Sequence, residues 1–227
     1  MSLFLIPSPI AEGNSTPPSV TEAIKSLRYF LAENIRTSRR FLSALKIYPS
    51  VEELHFETLD KDTSEESLPE LMKPALGGFD MGLLSEAGCP GIADPGAIAV
   101  AFAHRHGIKV VPLAGASSVM LALMASGLNG QCFAFHGYLP VAPAALAAQL
   151  KILEKESAQK RQTQIFIETP YRTASLLQHL LKTLKPSTML CVAGDLTGQE
   201  FIQTRKVKDW EMPKLGKMPA VFLFLAE

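Results

Sequence analysis

The chain has 227 residues, 47% hydrophobic and 7% aromatic, with 22 Lys+Arg against 22 Asp+Glu. Apolar content this high with ordinary charge excludes a disordered chain, and the charge balance excludes one that holds nucleic acid by bulk positive charge. A local basic patch stays open, and the length admits one large domain or two small ones.

The elements follow in chain order. Residues 3–7 read as a buried strand. Ser19-Val20-Thr21-Glu22 has the pattern of a capping box, opening a helix with Val20, Ile24, Leu27 and Leu31 on one face. Residues 29–33 either end that helix or form a second strand. The pattern then predicts a helix over 37–45, a strand over 55–59, a helix over 64–75, a strand over 81–85, a helix over 95–106 and a strand over 109–113. Such βαβα alternation implies an α/β unit with a mostly parallel sheet, whose ligands bind beyond the carboxyl ends of the strands.

After Leu113 the texture changes. Helices are expected over 117–126, 142–157 and 173–184, and strands over 132–138, 164–168, 189–195, 201–206 and 220–226. The closing strands follow one another without helices, which suggests antiparallel pairing. A domain boundary is expected within 112–118, dividing the chain into 1–114 and 115–227. Residues 110–150 contain no Asp, Glu, Lys or Arg, but Pro112, Gly115, Ser117, Ser118, Ser126 and Gly127 interrupt the apolar run, so it reads as strand, turn and buried helix rather than a membrane span. The N-terminus has no basic region ahead of an apolar core and does not read as a signal peptide. Cys89, Cys132 and Cys191 are far apart and form no CxxC, which suits a reducing cytoplasm and predicts no disulfide framework or zinc cluster.

Three predicted strand ends share small residues where a large side chain would block a ligand. They are Pro7-Ser8-Pro9-Ile10-Ala11-Glu12-Gly13-Asn14, then 85–96 (Ser85-Glu86-Ala87-Gly88-Cys89-Pro90-Gly91-Ile92-Ala93-Asp94-Pro95-Gly96), then 112–118. Each opens toward a helix N-terminus, whose free N–H groups can bind polar atoms. There is no GxxxxGK[ST], no GxGxxG after the first strand and no GxSxG, so a P-loop, a dinucleotide fingerprint and a hydrolase elbow are disfavoured. His104 and His106 point apart on a helix, so no metal site is expected. His136, on an alternating strand, reads as a satisfied core residue. Residues 33–40 carry Arg36, Arg39 and Arg40, whose forks suit phosphate or carboxylate. Tyr171 and Arg172 follow a strand and have the chemistry to stack on or pair with a nucleotide.

Residues 85–96 resemble the SDAGTPGISDPG segment of the tetrapyrrole methylase superfamily, and more narrowly its branch of small-subunit ribosomal RNA cytidine 2′-O-methyltransferases. Residues 5–10 resemble that branch's VPTPIGN start, 33–40 its EDTRxTRK, 111–118 its VPLPGPSA, 125–128 its ASGL, 135–140 its FxGFLP and 168–172 its ESPHR. The resemblance implies two α/β domains, the first with a mostly parallel and the second with a mixed sheet, and a cofactor cleft between them. It also implies an S-adenosylmethionine-dependent methyltransferase and a homodimer. By the same resemblance the cofactor would touch Pro7, Ser8, Pro9, Glu86, Ala87, Gly88, Pro90, Ser117 and Ser118, with Glu168 and Ala193 closing the adenine side. Departures are Ala11-Glu12 inserted before Gly13-Asn14, Asn34-Ile35 for Asp-Thr, and Glu86 for the loop aspartate. The chain also ends at Glu227, where the branch's C-terminal region is expected to be missing.

The expected reaction is 2′-O-methylation of a ribose in ribosomal RNA or the small ribosomal subunit. Arg36, Arg39, Arg40, Tyr171 and Arg172 would contact the substrate. The catalytic candidates are Glu33 as base, held near Arg36, and Asp94 second. Two other readings stay open: a small-molecule acceptor such as a tetrapyrrole, using the uncharged 110–150 stretch as a wall, and a non-catalytic relative that binds the cofactor or RNA.

Overall fold

A computed structural model describes residues 1–11, 16–198, 201–213 and 218–227. The chain folds as two compact units, Met1–Ser117 and Ser118–Glu227. The inserted Glu12 and the adjoining Gly13-Asn14 lie outside the described residues.

The first unit contains strands β1 (Ser2–Ile6), β2 (Tyr29–Ala32), β3 (His55–Thr58), β4 (Met81–Leu84) and β5 (Lys109–Pro112). They form one sheet in the order β3-β2-β4-β1-β5, parallel throughout. Every residue of β4 is buried, as a central parallel strand covered on both faces requires. Helices α1 (Pro18–Ile24), α2 (Ile35–Leu45) and α5 (Ala97–Arg105) supply most of the cover. Leu42 and Ile24 pack against Phe30 and Ile6, while Phe102 and Ala99 pack against Leu3 and Leu83.

Three local expectations are corrected. The capping box does not form: α1 starts one residue before Ser19, behind a Pro17 cap that makes no side-chain hydrogen bond. Pro17 and Pro18 preset the backbone dihedral, so the helix starts without that reciprocal pair. Leu31 belongs to β2, not to the α1 face; pairing with β3 and β4 decides the ambiguous 29–33 stretch as strand. The helix expected over 64–75 is broken into a 3-10 turn (Glu65–Ser67) and two four-residue helices, α3 (Leu68–Leu71) and α4 (Lys73–Leu76). Pro69 and Pro74 each sit in the first turn of a new helix, where a missing N–H costs nothing. Helix α2 begins at Ile35, two residues earlier than predicted. The Asn34 side chain caps it, accepting from the N–H groups of Arg36 (3.1 Å) and Thr37 (3.2 Å).

The second unit contains α6 (Ser118–Ser126), β6 (Phe133–Tyr138), α7 (Pro143–Lys160), β7 (Thr163–Glu168), α8 (Thr173–Thr183), β8 (Met189–Gly194), β9 (Phe201–Lys206) and β10 (Ala220–Leu225). Its sheet runs β6-β7-β10-β8-β9 and is mixed: β6 and β7 are parallel, and the other three pairings are antiparallel. Phe166 stacks on Phe222 with ring centroids 5.7 Å apart, inside a core with Leu150 and Leu153 of α7 and Leu177 and Leu180 of α8. His136 meets Gln164 Oε1 at 2.6 Å across β6 and β7. Among the described residues no helix is long and apolar enough to cross a membrane.

Candidate active site

A parallel sheet places the loops after its strands along one edge. In the first unit that edge collects three of the small-residue segments. Beyond β1, Ser8 forms an isolated antiparallel bridge with Gly88 in the loop beyond β4. Ser8 N–H donates to the Gly88 carbonyl at 2.9 Å, and Gly88 N–H donates back to Ser8 at 3.0 Å. The Ser8 hydroxyl donates to the Ser85 carbonyl at 2.7 Å. Gly88 has φ +77°, a conformation that favours glycine, and its Cα faces Ile10 and the Ala116 carbonyl. The loop beyond β5 joins through Cys89, whose thiol donates to the Ala116 carbonyl at 3.4 Å. Burial pushes that thiol up, so it serves as a donor rather than a nucleophile.

Pro7, Ser8, Gly88 and Pro90 are buried, Pro9 and Ser117 are half-buried, and Glu86 and Ala87 are exposed on the rim. Polar atoms here are mostly backbone groups, and side chains are short. The assembly is a cradle in which an added Cβ at Gly88 already lies 3.4 Å from Ile10.

A carboxylate group forms beside the cradle. Glu33, just beyond β2, faces the backbone of Glu86. Its pKa is raised above the ordinary carboxylate value, first by burial and then by the negative charges of Glu86, Asp94 and Asp60; the Glu86 backbone opposes the shift. The expected partnership with Arg36 is not there. Arg36 lies beyond the Asn34 cap on the exposed face of α2, and the neighbours of Glu33 are other acids. Glu33, Asp60, Asp94 and Lys61 border an open pocket of about 420 Å³. Asp94 also staples its own loop: Oδ1 accepts from the N–H groups of Gly91 and, at 2.9 Å, Gly96. That staple delays α5 to Ala97.

Arg39 and Arg40 are exposed on α2 with Arg36, and the Arg39 guanidinium sits 5.3 Å from the Phe56 ring centroid. In the second unit, Ser118 opens α6. Glu168 ends β7 opposite Ala220, and Ala193, fully buried in β8, pairs with Val221. Glu168 is buried; its Oε1 accepts from the Thr169 N–H at 2.7 Å, and its Oε2 lies 3.0 Å from Arg172 Nη2. That second contact is a charge pairing without hydrogen-bond geometry. Arg172 is therefore engaged by its own strand end, while Tyr171 beside it is 83% exposed. Among the described residues no group of three His, Cys, Asp or Glu is arranged to hold a metal ion. Sequence reading missed Asp60 as a neighbour of Glu33. Its sign was present, since an acid just beyond a predicted parallel strand reaches the ligand edge.

No family model matches the chain. Over 196 residues it is 32% identical to the Ribosomal RNA small subunit methyltransferase I of Vibrio cholerae serotype O1, covering 86% of this chain and 65% of that one. The protein of the same name from Xylella fastidiosa is 30% identical over 197 residues, with 86% and 68% covered. That of Buchnera aphidicola is 28% identical over 225 residues, with 99% and 73% covered. The chain thus spans about two thirds of the length of these relatives. In fold it is similar to the crystal structure of the methyltransferase CobJ, with a TM-score of 0.63 at 16% identity over 99% of this chain and 94% of that one. The chain belongs to the family of ribosomal RNA small subunit methyltransferase I.

Proposed function

We propose that this protein is an S-adenosylmethionine-dependent methyltransferase that methylates a ribose 2′-hydroxyl of ribosomal RNA in the small subunit. The Ser8–Gly88 bridge is the observation that carries the reading, because it ties the loops beyond β1, β4 and β5 into one cradle. The family relationship supports the same conclusion.

The residues present suit such a cofactor. The cradle leaves no room for a Cβ at Gly115, which would lie 2.1 Å from Pro7 Cβ, and offers backbone groups and short side chains, which an adenosyl group with an amino-acid tail can use. Pro7, Ser8, Pro9, Glu86, Ala87, Gly88, Pro90 and Ser117 of the first unit would hold it. When bound, S-adenosylmethionine supplies an electrophilic methyl group, so the protein chiefly positions the acceptor and excludes water. A ribose hydroxyl is a weak nucleophile, and Glu33 takes the proton it releases. The upward shift of Glu33 brings that carboxylate nearer to neutral pH, which strengthens it as a base. Arg36, Arg39 and Arg40 project from one exposed helical face and serve phosphates.

The reading includes a homodimer. Met120 and Met124 lie one turn apart on α6, with Met124 77% exposed, an apolar stripe suited to self-association. Met124→Glu is expected to shift the mass measured by light scattering toward the monomer; an unchanged mass contradicts this use of α6.

The direct test is transfer of labelled methyl groups to small ribosomal subunits isolated from cells lacking this protein. Label at one nucleotide, on a ribose that resists alkaline hydrolysis, is expected. Absence of label on subunits and on free ribosomal RNA, with transfer to a tetrapyrrole instead, overturns the assignment of the acceptor.

A further inference from the structure

The edge of the first sheet opposite the cradle carries a second concavity. Tyr29, His55 and Met81 start three adjacent strands and lie in register. The Tyr29 ring stacks on His55 at 5.1 Å between centroids and tilts against Phe79 at 5.4 Å. These rings, with Leu71, Glu57 and Glu70, border a groove of about 440 Å³. Phe79 is 56% exposed, so its ring forms an apolar rim left uncovered among the described residues. β3 is the outermost strand of its sheet, and its far edge is open to a further extended segment.

The charge around this groove is far from the chain's average. Residues 51–72 hold eight of the 22 acids and one of the 22 bases; Asp60 and Lys61 border the Glu33 pocket at the opposite edge, and Lys73 joins Glu57 and Glu70 at the groove. Glu70 pairs with Lys73 and Glu65 with Arg105, each at 3.1 Å. Glu52, Glu53, Glu57, Asp62 and Glu66 are all exposed and enter no ion pair among the described residues. An aromatic rim alone would suit an unstacked base, but carboxylates on this flank repel phosphates. The same carboxylates attract lysine and arginine.

We propose that the Tyr29–His55–Phe79 groove is a docking site for an extended, basic protein segment, which seats one apolar side chain over the rings and sets lysines or arginines against Glu57 and the acidic flank. The site is independent of methyl transfer and faces away from the cradle, so a partner could occupy both at once. It gives Glu57 and its exposed acidic neighbours a role that the methyltransferase reading leaves unused.

The experiment is a fluorescence-anisotropy titration of the full chain. The probe is a short fluorescein-labelled peptide with one central phenylalanine flanked on both sides by lysines and arginines. Saturable binding that weakens with salt is expected. Phe79→Ala, Glu57→Lys, and alanine in place of the peptide's phenylalanine should each weaken it about tenfold. Phe79 and Glu57 are exposed, and circular dichroism checks that the variants fold; should Phe79→Ala fail to fold, Glu57→Lys decides. No saturable binding up to millimolar protein overturns the proposal, as does equal affinity in wild type and folded variants. Tighter, Phe79-dependent binding of a labelled single-stranded RNA overturns it too.

Discussion

A Cβ built on Gly115 would lie 2.1 Å from the Cβ of Pro7 and 2.3 Å from its Cγ. The loop beyond β5 thus reaches the loop beyond β1 only because residue 115 has no side chain. A contact that short forces the backbones apart, since neither a proline ring nor a main chain can rotate away. Gly115→Ala is expected to lose about 1–3 kcal/mol by urea denaturation, the usual range for overpacking. It should also weaken S-adenosylhomocysteine binding by calorimetry. Wild-type stability and affinity would show that the two loops do not depend on each other.

Gly88 makes a related prediction by a different route. At φ +77° an L side chain is strained even where space exists. Gly88→Ala should lose about 1–2 kcal/mol of stability and also lower cofactor affinity, because the Ser8 bridge uses both backbone groups of residue 88. Loss of stability with full affinity would separate the bridge from the cradle's function.

Glu33 ties activity to pH. Its folded-state pKa is raised above the ordinary carboxylate value, first by burial and then by Glu86, Asp94 and Asp60. The folded state therefore holds this proton more tightly than the unfolded chain does. Its contribution to stability is greatest below the unfolded value and declines as pH rises through the folded one. Glu33→Gln should accordingly raise the melting temperature at neutral pH while nearly abolishing methyl transfer. In the wild type, transfer should rise with pH as Glu33 deprotonates, and that limb should vanish in the variant. A variant that keeps wild-type kcat excludes Glu33 as the base.

In the second unit, Arg172 offsets a buried carboxylate. Arg172→Met leaves the buried Glu168 side chain beside Thr169 without its Arg172 partner. A loss of about 3 kcal/mol is expected by denaturant unfolding. Adding Glu168→Gln should recover a large part of it, since a neutral amide can keep the Thr169 N–H as donor. Additive losses in the double variant would contradict the pairing.

Much of this was legible in residue order. The buried strands announced themselves as short apolar runs, and the small-residue segments beyond β1, β4 and β5 do meet at one sheet edge. What failed was local. Leu27 and Leu31 fit helical spacing, but residues 29–32 complete a sheet between two strands, and tertiary pairing overrode the period. Ser19 and Glu22 spelled a capping box that two prolines pre-empted. Asp60 alone carried a sign beside Glu33; the convergence of Asp60, Glu86 and Asp94 was out of reach because they come from two other segments, which only the sheet order brings together. The acidic flank was visible in 51–72, yet a chain-wide count of zero net charge conceals it.

Titration calorimetry with S-adenosylmethionine and S-adenosylhomocysteine bears most directly on the central claim, that the cradle beyond β1, β4 and β5 holds this cofactor. Saturable binding is expected at micromolar affinity, near −8 kcal/mol, and weakened in folded Gly115→Ala. A folded protein that releases no heat with either ligand up to millimolar concentration would contradict the account.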